Sequence, residues 1–372
     1  MSPAPRPGGP PAVGRTVEVR TVAGPVTSDQ LGLTLPHEHL ANDIRAAVTA
    51  PRSAEHAFLA REKVTPELAW LLREEPYACA DHCTLDVPET IAEDLREFAR
   101  LGGRTVVELT PPGLGRSPET LLEISKASGV NVVMGSGWYL ERFHPPEVAD
   151  RSAEELASSL VAEFRGPDSP APGMNGIRPG VIGEIGVSPE FTEAERRCLR
   201  AACLAQRELA AGGAGLPLFV HLPGWQRRGG EVLDIVLEEQ GVDPEAVVLC
   251  HMDPSGEDPG YQREIAARGV WVEFDMIGMP FLYPGEGESP PPAQSARAIA
   301  ALAEAGHAGQ LLLSHDVFLK SMLTAFGGNG FGYVPALFAQ RLREQGMDPG
   351  EVRSLMTANP RRLFEAAAHA AP

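Results

Sequence analysis

Lysine is almost missing from this 372-residue chain: Lys63, Lys126 and Lys320 are the only ones, and nearly all other positive charge is arginine. Acids outnumber bases 50 to 32, for a formal charge of −18. That balance argues against a nucleic-acid partner, because phosphate binding requires a basic face. The lysine shortage, with 39 glycines and 35 prolines, fits the codon bias of a GC-rich genome. Long apolar runs are missing too, and none approaches the roughly 20 residues of a membrane span. Cysteine is scarce and unpatterned. Cys79, Cys83, Cys198, Cys203 and Cys250 are odd in number and form no regular framework. They read as buried free thiols in a reducing compartment rather than a disulfide scaffold. Cys79-x-x-His82-Cys83 lacks the second pair that a zinc finger needs. No apolar signal segment opens the chain; residues 1–14, rich in proline and glycine, are expected to be a disordered tail. A cytoplasmic location is the expectation.

What is present is the composition of a soluble globular protein, with 43% hydrophobic and 22% charged residues. Strand-like runs recur at Thr105–Leu109, Val130–Met134, Gly180–Ile185, Pro217–Val220, Ala246–Cys250, Val270–Phe274 and Gln310–Leu313. An earlier run ends at His37, and helix-like stretches such as Thr90–Arg100, Pro118–Ala127, Glu193–Ala211 and Ala293–Ala305 lie between most of them. Eight βα repeats over about 290 residues predict an α/β fold of the (β/α)8 TIM barrel type. The expected domain is residues 15–372, opened by a short β extension around Thr16–Val22. Two segments exceed a minimal barrel. Residues 41–88, with a helix over Pro66–Glu74, predict a lid after the first strand; Met279–Pro292 predicts a mobile loop after the seventh. Both leave strand C-termini, where barrels keep their active sites.

The chemistry is concentrated at those strand ends. In a strand, alternate side chains share a face, so His37 and His39 present two imidazoles to one side while Glu38 points to the other. His221, His251 and Asp316 each follow an apolar strand, and Glu184 sits within the fourth. Histidines and carboxylates gathered at one barrel face suit two borderline metal ions, zinc first and manganese or cobalt as alternatives, bridged by a carboxylate and a hydroxide. Tyr139 follows the third strand and reads either as a substrate contact or as rim packing. Glu108 and Arg116, near the second strand, read as an ion pair or as pocket lining. His315 points away from the site by alternation and reads as packing or support.

These motifs resemble the phosphotriesterase family of the amidohydrolase superfamily. The resemblance runs from about Ala23 to Leu363 and rests on Gly32-Leu-Thr-Leu-Pro-His37-Glu-His39, Gly183-Glu-Ile-Gly-Val-Ser188, Val220-His221, His251-Met-Asp-Pro-Ser255 and Leu313-Ser-His-Asp316. It implies that His37, His39 and Asp316 hold the more buried metal and His221 and His251 the more exposed one. In many members the bridge between the metals is a carboxylated lysine. This chain has no lysine between Lys126 and Lys320, so the resemblance assigns the bridge to Glu184, which needs no CO2. Asp316 would take the proton from the shared water and pass it to the leaving group. The implied reactions are, in order, hydrolysis of a lactone or carboxylic ester, of a phosphotriester, and of an N-acyl amide. A non-catalytic metal-binding barrel is the alternative of a different class. Lactone-hydrolysing members commonly carry arginine after the acid that ends strand seven; here Met276 follows Asp275, and Asn329 stands where some members have histidine. The partner is expected to be a small-molecule substrate bound by the loops after strands one, seven and eight, with no membrane and with homodimerisation as the family's habit.

Overall fold

The computed structural model describes residues 15–166 and 176–370; the expected tail over residues 1–14 lies outside the described residues. Eight parallel strands form the central sheet: β1 (Leu33–Glu38), β2 (Gly103–Glu108), β3 (Asn131–Ser136), β4 (Val181–Gly186), β5 (Leu218–His221), β6 (Val247–Leu249), β7 (Trp271–Phe274) and β8 (Leu311–Leu313). Each pairs with its sequence neighbour, so the spatial order is the chain order. Runs of Val, Ile and Leu buried on both faces are what a parallel sheet covered by helices demands. The result is a (β/α)8 barrel.

The helices follow from amphipathic patterning and capping. Pro88–Arg100 starts on a proline, whose missing N–H costs nothing at the first helical turn, and buries Ile91, Leu95 and Phe98 along one stripe. Glu193–Ala211 is opened by a capping box in which the Thr192 side chain accepts from the Glu195 N–H. The Glu195 carboxylate also accepts from the Ser188 N–H at 3.0 Å and the Glu141 N–H at 3.1 Å. One buried acid thus fixes the loops after both β3 and β4.

Closure between β8 and β1 is made by loop-end bonds and one side chain. Asp316 N–H donates to the His37 carbonyl at 3.2 Å, and His39 N–H to the Val317 carbonyl at 3.2 Å. Between them the fully buried Glu38 carboxylate accepts from Ser314 Oγ, His315 N, His315 Nδ1 and Val317 N, at 2.7 to 3.0 Å. His315 then accepts at Nε2 from the Val334 N–H at 2.9 Å, which fixes its tautomer.

Three details differ from the sequence expectation. The single N-terminal edge strand is a hairpin, Glu18–Thr21 paired with Gly24–Thr27, because Gly24 takes the positive φ of the turn. The loop after β7 contains its own hairpin, Leu282–Tyr283 with Gly287–Glu288, and Trp225 packs so closely on Gly287 that any Cβ there would fall within its ring. The segment after β1 carries a small core of Leu59, Val64, Leu71, Leu72 and Ala78. The cysteines are buried and free. His82 bonds the Pro76 carbonyl at 2.8 Å and Ser321 at 2.7 Å, while Cys79 and Cys83 face the Glu62 and Pro76 carbonyls. Among the described residues that motif is therefore structural glue rather than a metal cluster. No helix of the described residues is long and apolar enough to cross a membrane.

Candidate active site

The C-terminal ends of β1, β4, β5, β6 and β8 bring His37, His39, Glu184, His221, His251 and Asp316 together. Glu184 is the hub. Its Oε1 lies 2.8 Å from His221 Nδ1, 2.9 Å from His251 Nε2 and 3.6 Å from His37 Nε2; its Oε2 lies 3.8 Å from His39 Nε2. Asp316 Oδ1 stands 3.2 Å from His39 Nε2 and 3.8 Å from His37 Nε2. Two overlapping groups, His37 with His39 and Asp316, and His37 with Glu184 and His251, have the compactness of cation sites.

The donor set fits divalent metals on two grounds. His37 Nε2 is buried and has no hydrogen-bond partner among the described residues, a costly state for a polar atom unless an ion takes its lone pair. The other ring nitrogens of three of these candidate ligands are already held. His37 Nδ1 faces Glu273 Oε2 at 2.9 Å and Asp275 Oδ2 at 3.2 Å; His251 Nδ1 faces Asp275 Oδ1 at 2.8 Å; His39 Nδ1 faces Thr110 Oγ1 at 2.8 Å. Thr110 in turn donates to Glu108 in a short bond. Such outer bonds orient a ligating imidazole and choose its tautomer.

Electrostatics keep the hub anionic. Burial pushes the Glu184 carboxyl up, but the imidazoles of His221, His251 and His37 outweigh it and hold it well below the usual range. Asp275 behaves likewise: burial opposes ionisation, and His251 and His37 overcome it. Glu273 is pushed up to about 7, by burial first, against the pull of His37. The backbone is strained where two of the ligands leave their strands. His251 and Asp316 have φ of 59° and 53°, a left-handed conformation uncommon outside glycine and concentrated at functional sites.

Above the centre opens a cavity of about 120 Å³. Its wall draws on the loops after β3 and β5 as well as those after β1, β7 and β8, a wider origin than expected. Tyr139 lines it, with its hydroxyl 3.5 Å from His221 Nε2. Tyr77, Trp225, Tyr283 and Met276 make much of the rest, with Tyr283 and Trp225 ring centroids 5.3 Å apart. Arg142 and Glu286 supply charge away from the metal ligands.

Two sequence readings resolve differently. Arg116 lies 2.7 Å from Glu163, whereas Glu108 is turned to Thr110 and to the Leu40 N–H; neither lines the cavity. Asn329 also stands outside the cavity and ties the Gly278 carbonyl at 3.0 Å. Sequence reasoning passed over Glu273 and Thr110. Each lies two residues from a named acid, Asp275 or Glu108, and strand alternation puts such pairs on one face.

The phosphotriesterase family profile matches residues 17–364. An N-acetyltaurine hydrolase of Tetraodon nigroviridis is 33% identical over 350 residues, spanning 92% of this chain and 97% of that protein. The crystal structure of a resiniferatoxin-binding protein from Rhodobacter sphaeroides superposes with a TM-score of 0.88 at 44% identity, covering 95% and 96% of the two chains. A phosphotriesterase homology protein from Escherichia coli, complexed with phosphate in its active site, follows at 0.71 and 27%, covering 91% of this chain and 99% of its own. With a barrel of this topology and a profile match along nearly its whole length, the chain belongs to the phosphotriesterase family and is a hydrolase.

Proposed function

We propose that the chain is a binuclear metal hydrolase that cleaves the acyl bond of a small N-acyl amide, with a lactone or carboxylic ester as the second reading. The observation that carries it is the convergence of four imidazoles on Glu184, with Asp316 beside His37 and His39 and with His37 Nε2 buried and otherwise unpartnered. His37, His39 and Asp316 would hold the inner ion and His221 and His251 the outer, with Glu184 between them. Zinc suits the nitrogen-rich set best. Two bound cations would lower the pKa of a shared water towards neutrality and polarise the substrate carbonyl.

The remaining chemistry belongs to the chain. Asp316 faces the cavity and is placed to accept a proton from water and return it to the departing amine, which needs one as the C–N bond breaks. Tyr139 is placed to donate from its hydroxyl towards the carbonyl oxygen. Tyr77, Trp225, Tyr283 and Met276 around them shield the reacting bond from water. Amide is ranked above lactone for two reasons. Met276 occupies the place of the arginine common in lactone-hydrolysing members, and it lines the cavity. Relatives at about a third identity over the whole chain are named for an N-acyl amide.

The test is metal analysis of the chelator-stripped and reloaded protein, followed by turnover of an acyl amide, an ester, a lactone and a phosphotriester. About two ions per chain with amide cleavage fastest is the expected result. A protein that binds no metal overturns the mechanism, and phosphotriester cleavage alone overturns the acyl assignment.

A further inference from the structure

Arg142 is the only arginine or lysine in the cavity wall. The protein carries 18 more formal negative than positive charges, yet among the described residues Arg142 makes no hydrogen bond and no ion pair within 4 Å; its charge is felt at a distance by Glu286, where it lowers the carboxyl against the burial that raises it. Many arginines elsewhere on the surface are neutralised, as Arg200 is by Glu239 at 2.6 Å and Arg165 by Glu208 at 2.6 Å. With no partner in contact, its five donors remain available to an oxyanion in the cavity.

Its base is held in place. The Glu141 N–H donates to Glu195 at 3.1 Å, and the His144 ring bonds the Tyr139 carbonyl at 2.8 Å, so both flanks of Arg142 are tied. The guanidinium carbon lies 5.0 Å from the centroid of the Phe143 ring, a cation–π contact that steadies the head without consuming its donors. Tyr139 and Arg142 sit three residues apart on this one fixed loop, one facing His221 and the other the rim. A substrate whose carbonyl lies at the centre would extend its leaving group past Tyr139 towards Arg142. Glu286, in the turn of the hairpin after β7, lines the same cavity without contacting Arg142 in an ion pair among the described residues. Its carboxyl, raised by burial and lowered by the Arg142 charge, competes with a substrate anion for that guanidinium.

We propose that Arg142 selects substrates whose amine portion ends in an anionic oxyacid, a carboxylate or sulfonate, a short spacer away from the acyl bond. This rests on the acyl-hydrolase reading above and specifies its substrate class. Arg142 is a specificity residue: it meets the far end of the substrate and takes no part in bond cleavage.

The experiment compares matched substrates on the metal-loaded enzyme. N-acetyltaurine and N-acetyl-β-alanine present a sulfonate and a carboxylate; the methyl sulfone isostere of N-acetyltaurine is the same shape without charge. The expected kcat/KM ratio of anionic to neutral substrate is about 30-fold, in line with charge-assisted recognition of an oxyanion. Arg142→Met should collapse that ratio to near one, Arg142→Lys should restore part of it, and Glu286→Gln should widen it. Titration calorimetry of the amine products taurine and β-alanine supplies a readout independent of turnover, with affinity lost in Arg142→Met. The sulfonate and carboxylate arms tell which oxyacid the rim prefers. A ratio near one in the unmodified enzyme, or one that Arg142→Met leaves unchanged, overturns the inference while the hydrolase assignment stands. Failure to cleave either the charged or the neutral amide overturns the reading beneath it.

Discussion

His315 donates from Nδ1 to Glu38 at 2.7 Å, and this bond joins the last strand of the barrel to the first. The middle residue of the His37-Glu38-His39 triplet is therefore as consequential as its neighbours. The two histidines face the candidate metal centre, while the glutamate between them fastens the segment that brings Asp316 to the same place.

Replacing Glu38 with glutamine should destabilise the protein by roughly 3 kcal/mol, because buried donors that now meet a carboxylate would meet an amide group. Urea unfolding of the apo-protein measures it. A change within half a kcal/mol would show that the other closing bonds suffice.

Glu184→Ala should lower the metal content from about two ions per chain to one or fewer and abolish turnover, since two close cations would lose the anion between them. Metal analysis after gel filtration decides it. Two retained ions would remove Glu184 from the bridge.

Thr110→Val keeps side-chain shape but removes the partner of His39 Nδ1. Metal affinity should weaken about 10- to 100-fold, as when other outer-shell partners are lost. Competition with a chromophoric chelator reads this directly, and unchanged affinity would mean that packing alone orients His39.

His82 predicts an acid-sensitive lid. Burial, assisted by the charge of Lys320 and opposed by the Pro76 carbonyl, pulls its pKa down to about 4 from an ordinary 6.5. Because the folded value lies below the unfolded one, the unfolded chain binds the extra proton between those pH values. Stability is thus unaffected by this group above about pH 6.5 and falls as pH drops towards 4, by roughly 3 kcal/mol at most. Urea midpoints at pH 7.5 and 4.5 should differ less in His82→Gln than in the parent chain. Equal differences would assign the acid lability to other groups.

Much of the barrel was legible because its signals are local. Alternating apolar runs ending in His, Asp or Glu mark both a parallel strand and its functional end, and all six ligand candidates lie where that pattern puts them. Glu193–Ala211 begins and ends where its capping residues indicate. The cavity was not legible, since its wall is set by contacts between distant loops. Trp225 reaches the hairpin after β7 only because Gly287 yields space, and nothing near residue 225 announces that fit. Arg142 is equally silent in sequence. An unmatched arginine differs from a matched one only by which acids fold beside it, and Arg116 went the other way, to Glu163.

The closing seam also bears on how the protein is made. Glu38 and His315 are 277 residues apart, so a ribosome adding about 5–20 residues per second separates their emergence by tens of seconds. Throughout that interval His37 and His39 are present without Asp316, and the proposed inner ion would have only part of its cage. A nascent chain thus has no complete centre until its eighth strand arrives. Chains truncated before that point should be inert.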